Sequence, residues 1–109
     1  MMKLETLATY IASLNHYDDG ATLEKFRPVQ YRGGYQVALT DYRFTDPRDA
    51  AMKIIELQGN AGIWYDGSAW CIDYSTHVSS YSDALQLARR YNQQSVWCWD
   101  SMESIPVHA

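Results

Sequence analysis

Three residues near the middle of the chain have the types that nucleophilic catalysis needs. Cys71, Asp73 and His77 could supply a thiol nucleophile, a base and the group that orients the base. On a strand that ends near Tyr74, Cys71 and Asp73 point to one face, whereas His77 lies beyond the strand end. Nothing in the sequence marks an oxyanion site, so an enzyme that uses Cys71 and His77 is the third of our functional hypotheses.

A second group, His16 with Asp18 and Asp19, places three possible metal ligands within four positions. The spacing is not that of an EF-hand loop, and no distant His or Cys motif completes a tetrahedral site. A solvated loop is the simpler interpretation, and we expect no metal. The glycines form neither a GxGxxG motif nor a P-loop, so we also expect no cofactor.

Composition narrows the class of protein. The chain has 109 residues, of which 47% are hydrophobic, so we predict a single domain, 1–109. A net charge of −4, with Arg89-Arg90 as the only adjacent basic pair, argues against a nucleic-acid partner. Neither a signal peptide nor a membrane-spanning run is visible, and Cys71 and Cys98 lack CxxC spacing, so we expect a cytoplasmic protein with reduced thiols.

The strongest local pattern lies in residues 61–74, where Asp66-Gly67 separates two runs of apolar and aromatic residues. Asp-Gly favours a two-residue type I′ hairpin, because both central residues need a positive φ. This loop would pair Tyr65 with Ser68. Alternation then assigns the side chains to two faces. The predicted core face has Ile63, Tyr65, Trp70, Ile72 and Tyr74, and the other face has Trp64, Cys71 and Asp73.

Helix signals surround this hairpin. Apolar spacing predicts an amphipathic helix from Met2 to Leu14, Asp46-Pro47 predicts a second helix that Gly59 ends, and Ser80 predicts the start of a third. Further strands are predicted over residues 34–44 and 95–99, with an edge strand around residues 105–107. The 21–33 segment is undecided, because Thr22 could cap a short helical turn that Pro28 would stop.

After the first helix, the order is strand, helix, strand, strand, helix, strand. This order predicts an α+β fold with a four-stranded antiparallel sheet in ferredoxin-like βαββαβ order over residues 34–100. An N-terminal helix within residues 1–20 and a tail over residues 101–109 complete the domain. In that order Cys71 and Cys98 lie about 9 to 10 Å apart, too far for a disulfide. The first helix packs beside the others or covers the second face of the sheet.

The aromatic content exceeds what one small core can hold, with four Trp and nine Tyr. Alternation places Trp64 on the face opposite Trp70. The last strand must likewise direct either Trp97 and Trp99 or Val96 and Cys98 to the second face. If the first helix leaves that face uncovered, it is an exposed aromatic surface suited to recognition. If the first helix and the 21–33 segment cover it, the aromatic residues are ordinary core.

A series of short motifs runs through the second half of the chain. In order they are Ile72-Asp73-Tyr74-Ser75-Thr76-His77-Val78, Asp83-Ala84-Leu85, Ala88-Arg89, Asn92-Gln93 and Val96-Trp97. This series, within residues 61–100, resembles small proteins of bacteriophages and other mobile elements, in which a strand ending in Asp-x-Ser leads to a helix with Ala-Leu and Ala-Arg. The resemblance implies no catalytic residues. It implies a protein that binds a host protein, as inhibitors of CRISPR or restriction systems do.

Our leading hypothesis is therefore a non-catalytic protein-binding module from a phage or mobile element that inhibits a host defence protein by direct contact. The predicted contact residues are Trp64, Asp66, Asp73, Trp97, Trp99 and Asp100. The alternative is a small-molecule-binding regulatory domain, because βαββαβ modules often hold a ligand between strand and helix. We expect neither a nucleic-acid nor a membrane partner. A homodimer is also consistent with an uncovered sheet face.

Overall fold

Three helices and seven strands make up the fold. The computed structural model describes residues 3–107. In chain order the elements are α1 (Leu4–Ser13), β1 (Gly20–Glu24), β2 (Arg27–Val29), β3 (Tyr35–Phe44), α2 (Pro47–Glu56), β4 (Ala61–Tyr65), β5 (Trp70–Val78), α3 (Tyr81–Arg90), β6 (Ser95–Cys98) and β7 (Glu103–Pro106). Among the described residues no helix is long and apolar enough to cross a membrane.

Helices α2 and α3 begin at the capping residues from which their starts were predicted. Asp46 accepts a hydrogen bond from the Arg48 backbone N–H at 2.8 Å, and Pro47 is the first residue of α2. The Ser80 hydroxyl accepts a bond from the Asp83 backbone N–H at the start of α3. The two predicted helix starts are confirmed. The predicted first helix is also present, although its expected start at Met2 lies outside the described residues.

The predicted four-stranded ferredoxin-like sheet is wrong. The sheet has seven strands in the order β2-β1-β4-β5-β3-β6-β7, and the pairs β1 with β2, β1 with β4, β4 with β5, β3 with β6 and β6 with β7 are antiparallel. Two of the three additional strands, β1 and β2, lie largely in the 21–33 segment that was undecided, and β7 lies close to the edge strand expected around residues 105–107. Residues 20–29 form a hairpin at one end of the strand order, and β7 forms the other end.

The hairpin of β1 and β2 was missed because its turn has no local signature. Its register pairs Glu24 with Arg27, so the loop is Lys25-Phe26, and both residues have positive φ, 50° and 67°. That conformation is typical of a type I′ turn, which usually contains Asn or Gly. Thr22 is therefore a strand residue and not the cap of a helical turn.

The Asp66-Gly67 connection also differs from its prediction. Tyr65 pairs with Trp70, so the loop has four residues, 66–69. Within this loop only Gly67 has a positive φ, 99°, whereas a type I′ turn needs two such residues. A type I′ turn is thus wrong here. The register differs by two residues from the predicted one, and a shift of two preserves the face of every side chain. The division of the hairpin between two faces therefore holds, except that Tyr74 is 41% exposed and not in the core.

The described residues form two compact units. The first unit comprises the residues up to Val29 together with Asp41–Tyr74, and the second comprises Gln30–Thr40 together with the residues from Ser75 onward. Strands β3 and β5 each contribute residues to both units.

In the first unit, α1 and α2 pack on the same face of the strands. The core cluster is formed by Leu7, Ile11, Leu23, Ala50, Ala51, Ile54, Ala61, Ile63, Trp70 and Ile72. The Trp70 indole N–H donates to the Leu14 carbonyl oxygen at 2.8 Å, which ties β5 to the end of α1. The first helix therefore packs beside the second, and neither helix of this unit covers the other face of its strands.

In the second unit, α3 packs on one face of the strands. Its small residues Ala84 and Ala88 are fully buried and form a cluster with Val37 and Val96. Small helix residues let the helix approach the sheet closely, so the buried branched residues of β3 and β6 fill the space between them. Because Val96 faces α3, its neighbour Trp97 points to the opposite face.

Candidate binding site

Trp64 lies on the face of the first unit that neither α1 nor α2 covers. Residue alternation and strand register place on this helix-free face Gly20 and Thr22 of β1, Gly62 and Trp64 of β4, Cys71 and Asp73 of β5, and Asp41 and Arg43 of β3. Trp64 is 43% exposed, whereas Trp70 on the covered face is 8% exposed. The predicted separation of the two tryptophans is confirmed.

Asp18 holds the Trp64 ring in one orientation. The indole Nε1–H donates to Asp18 Oδ1 at 2.9 Å. Asp18 is itself fixed by its backbone, because its N–H donates to the Tyr65 carbonyl oxygen at 3.0 Å and Tyr65 N–H donates to the Asp19 carbonyl oxygen at 2.8 Å. Asp18 has a φ of 72°, a conformation that Asp tolerates better than most residues. The exposed indole is therefore preorganised.

Tyr17 extends the aromatic surface next to Asp18. It is 69% exposed, and its ring lies near Gly67, since a Cβ at Gly67 would be 3.6 Å from Tyr17 Cδ2. Asp18 thus links two exposed aromatic side chains, because Tyr17 precedes it in the chain and Trp64 donates a hydrogen bond to it. This group was not predicted from the sequence, because Asp18 and Trp64 are 46 positions apart.

Asp73 occupies the space above Gly62, its partner across the strand pair. A Cβ at Gly62 would lie 2.5 Å from Asp73 Oδ1 and 2.9 Å from its carboxyl carbon. Only glycine leaves room for the carboxylate there. Gly62 also precedes Trp64 on the same face, so Asp73 is a diagonal neighbour of the exposed indole. The structure therefore brings two of the predicted contact residues, Trp64 and Asp73, together.

Asp66 has a structural role in its loop. Its carboxylate accepts bonds from the backbone N–H groups of Ser68 at 3.0 Å and Ala69 at 2.9 Å, and from Arg43 Nε at 2.9 Å. The Arg43 guanidinium, followed by these backbone donors, holds the pKa of Asp66 well below its usual range. Because its oxygens are already engaged, Asp66 contributes charge to the surface more than it offers hydrogen bonds to a partner.

The other three predicted contact residues belong to the second unit. Trp97 is half-buried on β6 beside its partner residue Gln36 on β3, and it packs edge-on against Trp99 with ring centroids 6.1 Å apart. Trp99 is 7% exposed, and its indole N–H donates to Gln36 Oε1 at 3.1 Å. Asp100 is exposed beside Gly33. Trp99 is thus a core residue of its unit and offers little surface to a partner.

His77 is engaged by the loop that precedes β3. Its ring stacks on Tyr31 with centroids 4.0 Å apart and an interplanar angle of 17°, and its Nε2 lies 2.8 Å from the Gly33 carbonyl oxygen. Tyr31 also contacts Trp99 edge-on at 5.6 Å. These contacts explain His77 as a residue that positions residues 31–33, which the sequence did not predict.

Neither thiol has the setting of an exposed nucleophile. Burial, followed by the charge of the nearby Asp66 carboxylate, raises the pKa of Cys71, whose Sγ lies 3.8 Å from Asp66 Oδ2. A raised pKa reduces the thiolate fraction that nucleophilic attack requires. Hydrogen bonding from Ser101 lowers the pKa of Cys98, but that residue is 6% exposed. Both thiols are free.

The His16 group is a capped loop. The His16 backbone N–H donates to Asp19 Oδ2 at 3.0 Å, while Asp18 is bound to Trp64. Within residues 3–107 no three His, Cys, Asp or Glu side chains are grouped so that they could hold a metal ion. This loop therefore serves to fix Asp18 beside the indole.

No family model, curated protein or solved structure matches the chain. The function is accordingly inferred from the geometry of the helix-free face.

Proposed function

We propose that this protein is a non-catalytic module that binds another protein through the helix-free face of its first unit, with Trp64 at the centre of the contact. The observation that carries the proposal is a single one. A tryptophan with 43% of its surface exposed is held in place by a 2.9 Å hydrogen bond from its indole N–H to Asp18.

A fixed, exposed indole suits protein recognition for two physical reasons. Tryptophan contributes a large contact area, and it is enriched among the residues that dominate binding energy. Holding the ring in advance lowers the side-chain entropy that is lost when a partner binds, which is about 0.5 to 1.5 kcal/mol for a mobile side chain. The Asp18 bond supplies that preorganisation.

The edges of the sheet favour contact through a face and not through strand addition. The two end strands, β2 and β7, each contain a proline, Pro28 and Pro106. Proline cannot donate a ladder hydrogen bond, and it is one of the devices by which proteins protect an edge strand from pairing. Strand addition at either edge is therefore disfavoured, which supports a contact through the helix-free face.

The other two hypotheses have less support. The small-molecule alternative was based on a ferredoxin-like topology, which the seven-stranded sheet replaces. The enzymatic alternative required an activated Cys71, whereas burial and Asp66 raise the pKa of that thiol. Neither hypothesis has an observation in its favour that compares with the fixed exposed indole.

The origin of the protein and the identity of its target are predictions from the sequence resemblance alone. We propose, on that resemblance, a phage or mobile-element protein that acts on a host defence protein such as a CRISPR or restriction component. The genes on either side of the coding sequence test this setting. Adjacent phage or defence genes are the expected result, and an unrelated metabolic operon would contradict it.

The binding role is tested by quantitative capture with matched variants. The tagged protein is incubated with lysate of the cells in which it naturally acts, and captured proteins are quantified for wild type, Trp64→Ala and Tyr91→Ala. Tyr91, the C-cap residue that follows α3 in the second unit, is 41% exposed and so controls for loss of an exposed aromatic ring. We expect a partner whose captured amount falls about tenfold or more with Trp64→Ala and is unchanged with Tyr91→Ala. A partner retained equally by both variants would refute the role of Trp64.

A further inference from the structure

The net negative charge of the protein lies in one of its two units. The first unit has six Lys and Arg side chains against ten Asp and Glu, whereas the second unit has three against three. The whole formal charge of −4 therefore lies in the unit that carries Trp64. Composition alone did not reveal this asymmetry, because the two units are interleaved along the chain.

Within the first unit, acidic residues gather on the helix-free face. Asp18 is bonded to the Trp64 indole, and Asp41 is close enough to Cys71 to contribute to the rise of its pKa, after the larger effects of burial and Asp66. Alternation and register place five acidic side chains on or beside this face, against two basic ones. The acidic residues are Asp18, Glu24, Asp41, Asp66 and Asp73, and the basic residues are Arg27 and Arg43.

An indole bordered by carboxylates is the arrangement that recognises a cationic side chain. The face of a tryptophan ring attracts a guanidinium or ammonium group, with about 0.5 to 1 kcal/mol at exposed sites and more where water is excluded. A neighbouring carboxylate adds a charge-assisted hydrogen bond. Because Asp18 accepts the indole N–H bond through Oδ1, its carboxylate lies at the edge of the Trp64 ring. A cation stacked on the face of that ring would therefore be close to this negative charge.

A second copy of the same chain is a poor occupant of this face. In a two-fold symmetric dimer the same patch meets itself, so two acidic faces would oppose each other. Like charges in such an interface are unfavourable by several kcal/mol. The charge distribution therefore points away from self-association through Trp64.

We infer that the partner presents a basic, arginine-rich segment to the helix-free face, with an arginine side chain stacked on Trp64 and directed by Asp18. Arginine fits better than lysine because its planar guanidinium can stack on the indole and donate to a carboxylate at the same time. This inference rests on the proposed function and names the chemical class of the partner.

The test uses defined peptides and the intact protein. Nona-arginine, nona-lysine and nona-glutamate are titrated while the indole N–H resonances are followed by NMR, and the Trp64 resonance is assigned by its loss in Trp64→Phe. We expect nona-arginine to shift the Trp64 resonance and to leave that of buried Trp70 in place. We expect nona-lysine to bind several-fold more weakly, and nona-glutamate not to bind.

Charge variants separate a specific site from general attraction. Asp18→Asn keeps an oxygen acceptor for the indole N–H and tolerates the positive φ, so it removes charge with little structural change. Asp49→Asn removes the same charge from an exposed position on α2. Asp18→Asn should weaken nona-arginine binding about two- to fivefold and Trp64→Ala about tenfold, with a smaller effect of Asp49→Asn.

Each other outcome rejects the inference. Equal weakening by Asp18→Asn and Asp49→Asn, or unchanged binding to Trp64→Ala, would show general electrostatic attraction. A Trp64 shift that depends on protein concentration without peptide would show that a second copy is the occupant. If nona-arginine causes no shift while Trp64-dependent capture from lysate persists, the protein-binding role stands and the basic partner is rejected.

Discussion

Two hairpin connections in the first unit obtain their shapes in opposite ways. The 66–69 loop is organised by its own first residue, because the Asp66 carboxylate accepts bonds from the Ser68 and Ala69 backbone N–H groups. The Lys25-Phe26 turn has no such residue. Its two positive φ angles are instead supported from the segment that follows α2, by bonds from Phe26 N–H to the Gly59 carbonyl oxygen and from Lys25 N–H to Asn60 Oδ1, both at 3.0 Å.

This difference shows what local sequence can specify. An Asp at the start of a loop carries its hydrogen-bond acceptors with it, so a reversal can be recognised from a few residues. A turn that depends on groups 35 positions away carries no such mark. Three experiments measure how far the two connections differ in this respect.

The largest effect is expected from Gly59→Ala, which disrupts the close packing of Gly59 against the Lys25-Phe26 turn. Gly59 has a φ of 80°, and a Cβ there would lie 2.5 Å from both the backbone N and the ring Cδ2 of Phe26. Backbone strain and the clash together should lower the free energy of unfolding by about 2 to 4 kcal/mol, measured by urea titration.

Gly67→Ala is the matched control for that change. Gly67 also has a positive φ, 99°, but a Cβ there would meet only Tyr17 at an ordinary 3.6 Å. The loss should therefore be limited to backbone strain, about 1 to 2 kcal/mol. Equal losses for the two variants would contradict the claim that the Lys25-Phe26 turn depends on close packing at Gly59.

A smaller effect is expected from Asp66, and it should depend on pH. The lowered pKa of Asp66 means that the folded state favours the carboxylate, so the stabilisation is present above the ordinary Asp pKa of about 3.9 and is lost as the pH falls below it. Wild type should exceed Asp66→Asn in stability at pH 6, and the gap should narrow between pH 4 and pH 2.

Asp66→Ala completes this comparison. Asparagine retains an acceptor for the Ser68 and Ala69 N–H groups but loses the ion pair with Arg43, whereas alanine loses both. Alanine should therefore be the less stable variant at pH 6, as measured by urea titration. Identical stabilities of the two variants would show that the loop does not depend on its internal acceptor.

The smallest effect is expected from Lys25→Asn. Asparagine favours the positive φ that Lys25 adopts, and the lysine side chain is exposed, so the change should raise the free energy of unfolding by about 0.5 kcal/mol. Lys25→Gln, which removes the same charge without that preference, is the control. A gain as large with glutamine would attribute the effect to charge and not to the turn.

The parts of the fold that the sequence predicted are those with local causes. Asp46-Pro47 and Ser80 mark helix starts because capping involves residues two or three positions apart. The assignment of Trp64 and Trp70 to opposite faces held even though the loop was longer than expected, since alternation tolerates a shift of two. Strand number was wrong because the β1–β2 turn is supported from outside its own segment.

Trp64, Asp66 and Asp73 of the candidate site were predicted from the sequence, whereas Asp18 and Tyr17 were not. Alternation identified Trp64 as the aromatic residue outside the core, but Asp18 lies 46 positions away and was considered as a metal ligand. Trp99 was expected on the binding surface, yet it is buried, and its indole N–H donates to Gln36, which is 63 positions distant. Pairings over such separations follow from the sheet as a whole, and a single strand pattern does not contain them.

Site-specific photocross-linking tests the central claim most directly. A benzophenone amino acid is placed at position 17, where the native tyrosine is 69% exposed beside Asp18, or at position 91 as the control, and the protein is irradiated in lysate of the cells in which it acts. A discrete cross-linked protein at position 17, absent at position 91 and competed by unlabelled wild type but not by Trp64→Ala, is the predicted result. Cross-links of equal yield at both positions, or none at position 17, would contradict the assignment of the binding surface.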